Sequence, residues 1–171
     1  NSLRNRGRDM SAQREIYSRL GTNNRMTEFA ALLGISQLKC LSDFLRKRRE
    51  IASIYNEVIQ GSNISNLAQP IIVPEGISHA YWRYSVTLDH SIDRNLIKDE
   101  LDKDNIASDW AYYPALHLQP YFIKNYKTYK GQCPIAEDTL ERNFCLPVNT
   151  IMTKKDADFV VRRFIKAVQK Q

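Results

Sequence analysis

The chain has 171 residues, 43% of them hydrophobic, enough for one folded domain with a real core and too many for a disordered segment. Its net charge of +6 is thinly spread; the densest run, Arg46-Lys47-Arg48-Arg49, falls inside an expected helix and reads as a solvated face rather than a nucleic-acid surface. Cys40, Cys133 and Cys145 form no CxxC pair and have no His at metal-ligand spacing, so reduced cytoplasmic thiols and no metal site are expected, and no apolar run approaches the roughly 20 residues of a membrane span.

Residues 1–20 are polar and charged, with scattered apolar positions and no obvious compact unit. The opening Asn1-Ser2-Leu3-Arg4-Asn5-Arg6 lacks the apolar stretch of a signal peptide, and the missing initiator Met makes a fragment the expectation. From Thr27, a suitable N-cap, helical spacing takes over. Leu41, Phe44, Leu45, Ile51, Tyr55, Val58 and Ile59 fall mostly three, four or seven apart, and Gly61 suits the position after the last turn. Gly34-Ile35-Ser36 is a place where this long helix could bend.

Asn63 to Gly76 reads as a linker, with Pro70 and Pro74 flanking Ile71-Ile72-Val73. Trp82, Tyr84, Val86 and Leu88 then alternate with Arg83, Ser85 and Thr87, the period of a half-buried strand. Ser91 to Asp104 reads as a short helix. Ile106, Ser108, Trp110 and Tyr112 suggest a second strand, followed by a proline-bounded loop from Pro114 to Pro120. Pro134 to Asn143 is another short helix with Pro in its first turn, and Cys145-Leu146-Pro147 is a brief extended piece. The last helix starts at Thr153, with Asp156 completing a capping box. Strands separated by helices predict an α/β (α+β) domain, a small sheet covered by helices.

Two places could carry chemistry. Gly21-Thr22-Asn23-Asn24-Arg25-Met26-Thr27-Glu28 is an amide-rich segment feeding a helix N-terminus. Asn23 and Asn24 tolerate left-handed backbone and supply side-chain donors, Arg25 adds a forked cation, and the first helical N–H groups lack intrahelical partners. Together they could hold a phosphate or carboxylate; an ordinary capped turn with a surface arginine would read the same way. His117 lies in a proline-bounded loop crowded by Tyr112, Tyr113, Tyr121 and Phe122. It could donate to a polar ligand or serve as a structural hydrogen-bonding residue. No glycine-rich phosphate loop and no Ser/His/Asp or Cys/His arrangement is present.

The stretch from Leu20 through Asn23-Asn24-Arg25-Met26-Thr27-Glu28 to Gly34, followed by Gln37-Leu38, resembles the LGxNYRM[ST]E signature of the DegT/DnrJ/EryC1/StrS family. Leu3-Arg4-Asn5-Arg6-Gly7-Arg8-Asp9 resembles the family's LRNHGRD, and Tyr112 to Tyr121 resembles its YYPPLHLQPxY. Pro134-Ile135-Ala136-Glu137 with Leu146-Pro147 resembles its closing PxAE and LP. These are pyridoxal-phosphate (PLP) sugar aminotransferases of the aspartate-aminotransferase fold (PLP fold type I).

The resemblance implies the C-terminal part of such an enzyme, a little under half of it. Residues 1–26 would be a remnant of the large PLP-binding domain, and 27–171 the small domain behind a long connecting helix. It implies a cytoplasmic homodimer that moves an amino group from glutamate to a keto-sugar nucleotide in polysaccharide biosynthesis. Asn23 matches the asparagine that reaches the phosphate of the other subunit's PLP. Arg25 matches the motif arginine at the same boundary, and Tyr113 and His117 match the loop near the nucleotide-sugar. Asn24 departs from the family aromatic. The Schiff-base lysine is in no motif of this chain, so the chain alone should be inactive. Some family members are sugar dehydratases, and a truncated, non-catalytic binding module or a basic nucleic-acid binder are further alternatives.

Overall fold

The computed structural model describes residues 2–171. Its internal contacts divide into two units, one up to Ser42 and one from Asp43 to Gln171. One helix, α1 (Glu28–Gln60), runs through the boundary without a break. Thr27 caps it, its Oγ1 accepting from the Ala30 amide at 3.2 Å. Gly34, where a bend was expected, sits in unbroken helix with open space around its Cα.

The first unit is more ordered than its polar sequence predicts. The chain folds back on itself, with bridges pairing Asn5 with Asn23 and Arg8 with Tyr17. Main-chain bonds run from Arg6 N to Thr22 O (2.9 Å), Thr22 N to Leu3 O (2.9 Å) and Asp9 N to Ile16 O (2.7 Å). Two glycines allow this approach. A Cβ on Gly7, whose φ is +79°, would lie 1.6 Å from the Arg19 carbonyl oxygen, and one on Gly21 would lie 2.2 Å from the Gly7 nitrogen.

The second unit is built on an antiparallel sheet in the order β1 (Ala68–Pro70), β2 (Tyr84–Leu88), β3 (Asn143–Leu146). Ala68 pairs with Leu88 on one side of β2, and Val86 pairs with Phe144 on the other. β1 lies inside the stretch expected to be a linker, and its proline is tolerated because the strand is an edge. Residues 106–112 do not form the second strand. Asp109 alone bridges to Cys145, and the expected inward face is lost along the segment, with Ile106 buried but Tyr112 exposed.

Helices α2 (Arg94–Lys103), α3 (Pro120–Tyr126), α4 (Pro134–Arg142) and α5 (Lys154–Gln169) complete the unit, with a 3₁₀ turn at Leu116–Leu118. Both arms of the Thr153–Asp156 capping box are present. Tyr84, Val86 and Leu88 face Ile51, Tyr55 and Ile59 of α1 and Val161, Phe164 and Val168 of α5 in one core. The buried phenols are satisfied: Tyr55 donates to Pro147 O and Tyr84 to Asn56 Oδ1, each at 2.7 Å. Burial pushes both phenol pKa values well above the ordinary range.

Candidate functional site

Gly21 to Thr27 forms no turn and is regular only at the Asn23 bridge, and neither Asn23 nor Asn24 adopts the left-handed region, which is taken instead by Arg6 (φ 60°) and Gly7. The backbone here is held from both sides of Asn23, since the Thr22 and Asn24 amides donate to Leu3 O and Arg4 O, each at 2.9 Å. The Asn23 side chain is exposed and makes no hydrogen bond to a described residue, and Arg25 is exposed with no ion pair among the described residues. The helix amides contribute less than expected, because Thr27 already accepts from Ala30 and Ala31. What remains is an amide and a guanidinium, both donors, presented on an anchored segment.

Tyr113 and His117 lie in the second unit on one loop. His117 is not alone: its Nε2 is 2.9 Å from Glu137 Oε1, and both side chains are nearly buried, 14% and 12% exposed. Glu137, in the first turn of α4, also accepts from the Gly131 amide at 2.8 Å and the Cys133 amide at 3.3 Å. His117, followed by those amides, holds the Glu137 carboxyl below its ordinary value of 4.5. The His117 carbonyl accepts from Thr128 Oγ1 at 2.5 Å, closing the loop against the segment that leads into α4. His117 Nδ1 has no partner among the described residues.

Tyr113 is half exposed, and one contact is a cation. The Arg94 guanidinium lies 4.3 Å from the Tyr113 ring centre and 4.4 Å from that of Trp110. Arg94 is itself buried, donating to Leu140 O at 2.7 Å and Asn143 O at 3.4 Å, and burial lowers its pKa from the ordinary value. Outward from this loop face Tyr112, Leu116 and Tyr121, all more than 60% exposed.

Sequence reasoning gave no role to Glu137 or Arg94. Glu137 carries two signals, its place in the PxAE resemblance and its position as an acid in the first turn of a proline-started helix. Arg94 carried none, because its partners are carbonyls and rings distant in sequence. The basic run on α1 was read as solvated, yet Arg48 Nη1 donates to Tyr81 O (3.1 Å) and Trp82 O (3.2 Å), and Arg49 Nε to His79 O (3.0 Å). Two of its four cations therefore fasten the lead-in to β2. Among the described residues no cluster could hold a metal ion, and no helix is long and apolar enough to cross a membrane.

The sequence profile of the DegT/DnrJ/EryC1/StrS aminotransferase family matches residues 1–165. The chain belongs to that family. This DegT-family chain is 35% identical over 151 residues to the uncharacterized protein MJ1066 of Methanocaldococcus jannaschii, covering 86% of this chain and 38% of that protein. It is 30% identical over 143 residues to the GDP-perosamine synthase of Escherichia coli O157:H7, covering 83% and 36%. In fold it is similar to Helicobacter pylori PseC, an aminotransferase involved in the biosynthesis of pseudoaminic acid. The TM-score is 0.83 at 19% identity, over 99% of this chain and 45% of that one. The DegT-family chain thus spans less than half the length of each, and its α+β architecture is one portion of an aminotransferase fold.

Proposed function

We propose that this chain is the C-terminal part of a PLP-dependent aminotransferase that moves an amino group from glutamate to a nucleotide-linked keto-sugar. The supporting observation is the family match across residues 1–165, joined by a relative named as a GDP-sugar synthase. On this reading residues 1–26 belong with the large domain, and 27–171 form the small domain of a cytoplasmic homodimer in polysaccharide biosynthesis. No lysine here occupies the family's lysine motif, so transamination needs the rest of the enzyme.

The donor set fits the cofactor's phosphate. Asn23 offers amide N–H groups and Arg25 a guanidinium, and neither is engaged by a described residue, so both can face an anion from outside their own unit. PLP, when bound, supplies the electron sink for amino transfer. Asn23 and Arg25 would bind the phosphate of the cofactor in the partner subunit and fix its orientation. Tyr113 would offer its exposed ring to the nucleotide-sugar, and His117, held through Nε2 by Glu137, would present Nδ1 as a hydrogen-bonding atom.

Homodimer formation is supported by α1. Phe29, Leu32, Leu33, Ile35 and Leu38 are all at least 54% exposed, and at 3.6 residues per turn they spread over more than half of the helix circumference. So wide an exposed apolar face calls for cover, and a second copy can supply part of it.

The test is turnover by the full-length protein with PLP, glutamate and GDP-, dTDP- or UDP-linked keto-sugars, with the amino-sugar product detected by mass spectrometry. Failure with all three classes would overturn the reading. In the same protein Asn23→Ala should weaken PLP roughly 10- to 100-fold, as expected for a lost charge-assisted hydrogen bond. An unchanged dissociation constant would remove Asn23 from the phosphate site.

A further inference from the structure

The segment from Trp110 to Pro114 presents Tyr112 and Tyr113 without a strand ladder to hold it. Its main-chain supports are the adjoining Asp109–Cys145 bridge, a bond from the Ala111 amide to Asn143 Oδ1 at 3.1 Å and one from Gln119 Nε2 to Pro114 O at 3.1 Å. Tyr112 adopts φ 56°, a left-handed conformation that a residue with a side chain keeps only when its surroundings enforce it.

Arg94 braces the segment at Trp110 and Tyr113, the residues that bracket Tyr112. It is the first residue of α2, behind the Asp93 cap, and is the one charged residue in the buried class among the described residues. One edge of its guanidinium donates to the carbonyls of Leu140, in the last turn of α4, and Asn143, at the start of β3. Its central carbon lies over the Trp110 and Tyr113 rings. A single side chain therefore joins α2, α4, β3 and the aromatic segment. Only a guanidinium suits this position, because it forks to carbonyls and stacks on rings at once, whereas a lysine ammonium is a hydrated point charge.

We propose that Arg94 is a positioning residue for nucleotide-sugar binding, setting where Tyr112 and Tyr113 stand without touching the substrate. The proposal rests on the reading of the Tyr113 loop as substrate-facing. It is tested in the full-length protein with whichever GDP-, dTDP- or UDP-linked keto-sugar turns over. Arg94→Lys should raise the KM for that nucleotide-sugar, and its calorimetric dissociation constant, about 10-fold, while kcat stays within about 2-fold and the KM for the amino donor is unchanged. Trp110→Phe, which keeps a ring against the cation, should retain most of the affinity that Trp110→Leu loses.

A purely structural role would give a different result. If Arg94→Lys lowers the melting temperature but leaves the nucleotide-sugar KM unchanged, or raises both KM values together, the positioning role is overturned. Tyr113→Ala separates this from the underlying reading. If that variant raises the nucleotide-sugar KM and Arg94→Lys does not, only the positioning role fails. If neither variant moves it, the loop does not face the substrate and both ideas fall.

Discussion

The His117–Glu137 pair shows that one ring nitrogen of a functional candidate can serve as a fastening while the other stays open. Glu137 accepts from an imidazole and two amides, so the folded chain favours its ionised form and its carboxyl is held below 4.5. A lowered carboxyl value means stability that is fully present above 4.5 and lost as pH falls through the folded value. Thermal melts of the wild type and Glu137→Gln should therefore differ at neutral pH, with the variant lower, and converge in acid. A gap that stays constant below 4.5 would exclude the carboxylate as the source. From sequence, His117 alone was legible as a candidate. Its partner is twenty positions away on another element, and local pattern says nothing about that approach.

At the level of elements, legibility followed locality. α1, α4 and α5 were readable because their signals are carried within a turn of their ends: Thr27, Pro134, and the Thr153–Asp156 box. β1 and the bridges of the first unit were not, because each exists only through a partner strand that sequence pattern does not identify. The expected strand at 106–112 failed for the complementary reason: the alternation was real, yet only Asp109 finds a ladder partner. Gly34 is a further case, a weak helix former inside an unbroken helix with room for a methyl group. Gly34→Ala should stabilise the chain by about 0.5–1 kcal/mol through the unfolded state and helix propensity, read as a higher denaturant midpoint. A lower midpoint would mean that the position is packed against another molecule.

For the molecule as a whole, the two units differ in how their apolar residues are used. The second unit buries its aromatic and aliphatic residues around β2, whereas in the first Leu20, Met26, Phe29 and Leu32 are all at least 65% exposed. The isolated chain should therefore self-associate, sedimenting above monomer mass, and a Leu32→Glu, Leu38→Glu double variant should shift it toward monomer. Monomeric wild-type behaviour at high concentration would contradict this.

The backbone crossing at Gly7 and Gly21 adds a constraint of another kind. Most of a fold is specified by what side chains contribute, but here the order of the first unit depends on two carbons the chain omits. Alanine, the mildest change elsewhere, is already too large at either position, because what it meets is main chain that cannot rotate aside. The segment that presents Asn23 thus depends on vacant volume sixteen and two residues upstream, without which the hydrogen bonds on either side of it could not close.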